Sequence, residues 1–131
     1  MEYLNVIAAA IAGFALGAVW YGALSKQWIA ASGVECDENG NPAGMNNPLL
    51  YVGSFIIQLI VAGMMRHVLT LAGIDDIFKG IIVGGGIGLF FITPWIFLNV
   101  MYCGRKPALA VIDGGYATAA CAAMGLVLTL F

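Results

Sequence analysis

Four stretches of this chain, Tyr3 to Leu24, about Pro48 to Ala72, about Ile77 to Cys103 and about Pro107 to Phe131, are apolar over most of their length. A bilayer core of about 30 Å takes about 20 helical residues to cross, so each stretch is long enough to span it. Lipid offers no water to unpaired peptide groups, and a run of this length closes its hydrogen bonds within itself only as a helix. The implied fold class is all-α, a four-helix transmembrane bundle. Residues 1–131 form a single integral membrane domain whose first loop, 25–47, is polar and carries a short interfacial segment. Composition agrees: 9% of residues are charged, against about 25% in a soluble domain.

The net charge of −2 and five Lys plus Arg leave no basic surface for a phosphate backbone, so nucleic acid is not an expected partner. The lipid bilayer is. Cys36, Cys103 and Cys121 lie far apart in sequence, with neither disulfide-framework nor zinc-site spacing. No Ser/His/Asp or Cys/His arrangement, paired carboxylates or phosphate-binding glycine loop is present, so an enzyme is not expected.

The first run begins Met-Glu-Tyr, without a basic n-region or a small-residue cleavage site before Trp20-Tyr21, and reads as a retained helix. Ala9, Gly13 and Gly17 recur every fourth residue, a stripe that lets another helix approach closely. In the loop, SKQWIAAS suits a short interfacial helix with Trp28 and Ile29 dipping into lipid. Asp37, Asn39 and Asn41 imitate the opening of a calcium loop. Pro42 then replaces the required glycine and Pro48 the bidentate Glu, which leaves a solvated turn.

The second run carries Gln58 near its middle, suited to a hydrogen bond across to a neighbouring helix, and Arg66-His67 near its end. His67 is the sole histidine. It is a single-ligand candidate for a pigment magnesium or haem iron, set against the plainer reading of an interfacial polar residue. No cofactor is expected apart from lipid. In the third run Gly80, Gly84 and Gly88 form a row that packs deep in the bundle or against a second protomer. Thr93-Pro94-Trp95 should kink it, since Pro94 donates no backbone hydrogen bond. Gly115 continues the small-residue theme in the fourth run.

Antiparallel spans put both termini and the Gly73 to Gly80 turn on one side, and the long loop with the Gly104 to Lys106 turn on the other. At about 1.5 Å per residue, Asp113 lies about 9 Å inside the fourth helix and Arg66 about 27 Å along the second, too far apart to pair. By the same count Trp20, Tyr21, Asn99, Arg105, Asp113 and Tyr116 share one half of the bilayer. They form the candidate polar site. Such a cluster either locks the helices together or forms a pocket in which Arg105 attracts an anion and Asp113 relays a proton.

The order GAVWYG (Gly17 to Gly22), KQW (Lys26 to Trp28), Ser32-Gly33, Asn99, Gly104-Arg105 and IDGGY (Ile112 to Tyr116) resembles a bacterial family of small four-helix membrane proteins, domain of unknown function 1761. That pattern usually has Asn-Ala-Gly-Tyr where this chain has Asp113-Gly114-Gly115-Tyr116, so an ionisable group replaces a neutral amide. The resemblance implies a fold and a membrane location, here the bacterial inner membrane, and no activity. Two functions follow from the residues: an accessory subunit or homo-oligomer docking to itself or to other membrane subunits through its glycine faces, or a small channel or carrier for an anion or protons. Lys26, Arg105 and Lys106 against Arg66 and Lys79 favour cytoplasmic loops and outward termini.

Overall fold

The computed structural model describes residues 2–45 and 47–130. Helix α1 (Glu2–Ala23) is followed by the short α2 (Ser25–Ser32) and by α3 (Pro48–Leu71). The third span is built from α4 (Ile77–Ile87), a π-helical segment (Gly88–Ile92) and α5 (Thr93–Tyr102), and α6 (Pro107–Leu130) closes the chain. Four helical stretches are long and apolar enough to cross a membrane, and their bounds follow the apolar runs closely. This is a multi-pass membrane protein. Phe131, the expected last residue of the fourth span, lies outside the described residues.

Local chemistry sets the helix ends. Asn47 caps α3 by accepting from the Leu49 N–H at 3.0 Å, with Pro48 in the first helical position, where its missing N–H costs nothing. Asp76 caps α4 by accepting from the Lys79 N–H at 3.1 Å. Gly73 and Gly104, with φ of 70° and 67°, turn the chain between spans in a conformation that side chains disfavour.

The packing is centred on α6, of which eight residues are buried against three of α3. The glycine row decides this arrangement. A Cβ at Gly80 would lie 2.5 Å from the Gly125 carbonyl oxygen, one at Gly88 would lie 2.5 Å from that of Ala117, and one at Gly84 would collide with that of Cys121. Backbone therefore meets backbone along the α4/α6 seam, and the row is used within the chain rather than against a second protomer. Gly13 and Gly17 are also filled from inside, by Gln58 and Met124 and by the Tyr116 ring.

Pro94 acts as the sequence implies, by a specific route. Its ring would clash with the carbonyl of residue 90 in a regular α-helix. The helix widens to a π turn instead, the Thr93 N–H donates to the Gly88 carbonyl, and the Thr93 hydroxyl adds a 2.7 Å bond to the same oxygen.

The SKQWIAAS segment of the loop is helical, and its Trp28 is half-buried. Together with Ala31 it packs on Ile96, Val100, Leu109 and Ala110, because α2 folds back over the ends of α5 and α6. The Asp37 turn closes on itself, its Oδ1 accepting from the N–H groups of Asn39 and Asn41 at 2.9 and 3.0 Å.

Candidate functional site

Five consecutive residues of α6, Ile112 to Tyr116, each hold a neighbour. The Ile112 carbonyl accepts from Trp20 Nε1 at 3.1 Å, and Asp113 Oδ1 accepts from the Tyr21 hydroxyl at 2.7 Å. Gly114 leaves room for the Thr93 side chain and Gly115 for the Trp20 ring. The Tyr116 hydroxyl donates to the Gly13 carbonyl at 2.7 Å and accepts from Gln58 Nε2 at 2.6 Å. Consecutive helical residues point about 100° apart. A run of five thus reaches α1, α3 and the third span together.

Around the carboxyl the walls are aromatic. The rings of Tyr21 and Tyr116 meet edge to face at 5.2 Å and 66°, and those of Tyr21 and Trp28 at 6.2 Å and 81°. Trp28 also lies within hydrogen-bonding reach of Asp113, and among the described residues no lysine or arginine acts on this carboxyl. Asp113, Tyr21, Tyr116 and Gln58 open into a crevice of about 220 Å³ whose remaining wall is mostly apolar, including Ile57, Val61, Ile92 and Ile96. Among the described residues the α3 and α5 backbones do not approach closely, and side chains of both, Ile57, Gln58 and Val61 from α3 and Ile96 from α5, line the crevice.

Of the six residues expected to share a site, Trp20, Tyr21, Asp113 and Tyr116 come together. Asn99 and Arg105 do not. Asn99 is exposed on α5, one position before the buried Val100, so it has the right depth and the wrong face. Arg105 is exposed too, and its guanidinium donates to the Ser32 carbonyl at the end of α2. That contact ties the interfacial helix to the third turn and leaves Asp113 without a cation from this source. Gln58 and Trp28 belong to the site and were not assigned to it from sequence. Gln58 lies about 15 Å along α3 and Tyr116 about 13.5 Å along α6, so the depth count already paired them.

His67 is exposed near the far end of α3. Among the described residues no group of three His, Cys, Asp or Glu is placed to hold a metal ion. Arg66, on the same turn, donates to Asn5 Oδ1 at 3.4 Å, on the terminus side and away from Asp113.

A family model described as protein of unknown function (DUF1761) matches residues 4–129. The chain belongs to that family. No curated protein and no solved structure matches it. The DUF1761 match takes in every residue of the site, from Gly13 to Tyr116, and the family description states no activity.

Proposed function

We propose that this DUF1761 protein is a non-enzymatic carrier of the bacterial inner membrane, in which Asp113 takes up and releases a proton at the loop-side crevice. One observation carries the reading: a carboxyl about 9 Å inside a span lines a crevice with hydroxyl and indole donors and, among the described residues, no paired cation. Ionised carboxylates in a membrane interior are costly and mark proton or ion pathways. Without an internal cation, Asp113 has two low-cost states, protonated or paired with a cation that enters. Alternation between two such states is what a carrier requires.

The other readings have less support. Selection of an anion relied on Arg105, which is engaged by Ser32. Docking of an accessory subunit or a second copy relied on glycine faces that are filled within the chain. Catalysis lacks a partner set: Cys121 on the crevice wall lies about 12 Å along α6 from Asp113, too far for a base to reach its thiol.

The test is proton exchange in sealed vesicles that contain the purified protein and an entrapped pH dye. After an acid pulse, wild-type vesicles should equilibrate faster than empty ones and Asp113→Asn vesicles should match the empty ones. Equal rates for the two proteins would remove the reading.

A further inference from the structure

The crevice also has features that select what shares it with the proton. It joins a carboxyl that has no lysine or arginine acting on it among the described residues, the Tyr21 and Tyr116 rings beside that carboxyl, and an apolar wall shared by α3 and the third span. Each feature restricts the occupant. The carboxylate calls for positive charge. The faces of Tyr and Trp attract a cation within about 6 Å of the ring centre, and do so best when the cation is weakly hydrated.

A metal cation is disfavoured, because it needs several oxygen ligands. Asp113 is the one carboxylate on the wall, the Tyr21 and Tyr116 hydroxyls are already hydrogen-bonded, and no cluster of metal-binding side chains occurs among the described residues. An ion with no apolar part would gain nothing from Ile57, Val61, Ile92 and Ile96, which reward contact with a hydrocarbon group. The volume of about 220 Å³ limits the occupant to a small molecule, with any longer arm lying in the lipid.

We infer that the crevice binds a small hydrophobic ammonium cation, its head group against Asp113 between the rings of Tyr21 and Tyr116 and its apolar arm along Ile57, Val61, Ile92 and Ile96. The inference rests on the carrier reading for its purpose, since proton and ammonium compete for one carboxylate. Its binding site rests on the geometry alone.

The experiment is calorimetric titration of the purified protein in micelles with benzyltrimethylammonium, corrected against empty micelles. The uncharged isostere, in which carbon replaces the nitrogen, is titrated alongside. Saturable binding of one cation per chain is expected, with the isostere weaker by at least about tenfold. Asp113→Asn keeps an acceptor for Tyr21 and should also weaken the cation by at least about tenfold. Comparable affinity for the isostere, a measurement that needs no variant, would overturn the inference, as would full affinity in Asp113→Asn. Absence of saturable binding in a protein that still exchanges protons through Asp113 overturns this inference and leaves the carrier reading standing. Binding as described, without proton exchange, does the reverse.

Discussion

Helix α6 meets the third span along two very different seams. Below the π segment, toward the termini, Gly80 and Gly84 bring α4 so close that carbonyl oxygens of α6 occupy the space where side chains would begin. Above it, toward the loops, α5 keeps its contact with α6 through Thr93 and Val100 but stands away from α3, and the gap holds the crevice and Asp113. One half of the bundle is closed by removing side chains, and the other is held apart by keeping large ones. Stability is concentrated in the first half, which frees the second to expose a carboxyl.

The sharpest test of that contrast is Gly84→Ala. Its methyl group has no room beside the Cys121 carbonyl, and a loss of about 3 kcal/mol in micellar unfolding is expected. Gly63→Ala is the control. A Cβ there meets nothing within 4 Å, so better helix propensity should make it neutral or stabilising by up to about 1 kcal/mol. Asp113→Asn should act oppositely to Gly84→Ala, lowering proton flux at least about tenfold while unfolding shifts by less than about 1 kcal/mol. Tyr116→Phe removes the hydroxyl that joins Gly13 to Gln58 and should cost about 1 to 2 kcal/mol in the same unfolding assay. The smallest effect belongs to Arg105→Ala. Freed from its tie to the Ser32 carbonyl, α2 should show faster amide hydrogen exchange, with proton flux within about twofold of wild type. A large loss of flux in that variant would restore Arg105 to the site.

The spans were legible because lipid thickness sets helix length, and apolar runs of that length have few other uses. Part of the candidate site was legible for a related reason: counting residues from a helix end gives depth. Depth placed Asp113, Tyr21 and Tyr116 in one layer. It could not say which way a side chain points around its helix, and Asn99 was misplaced for that reason. Arg105 was misplaced because α2 folds inward and presents a carbonyl, a tertiary contact for which Ser32 gives no sequence signal. The glycine row showed that something packs closely. That the partner is α6 depends on the matching small residues Gly125 and Cys121, which do not align with the row until the third span is in place.

The π segment also settles how the third span is to be read as a code. Its buried positions run Gly80, Gly84, Gly88, Thr93 and Val100, with a step of five where steps of four would continue to Ile92. One residue is in effect inserted, and everything after it is turned by about 100° relative to an unbroken helix. That frame shift puts Thr93 against Gly114 and leaves Ile92 and Ile96 to line the crevice. Deleting a single residue between Gly88 and Ile92 would therefore put Thr93 four residues after Gly88, so that a regular helix could present the same loop-side face with the π turn gone and no side chain in that half changed.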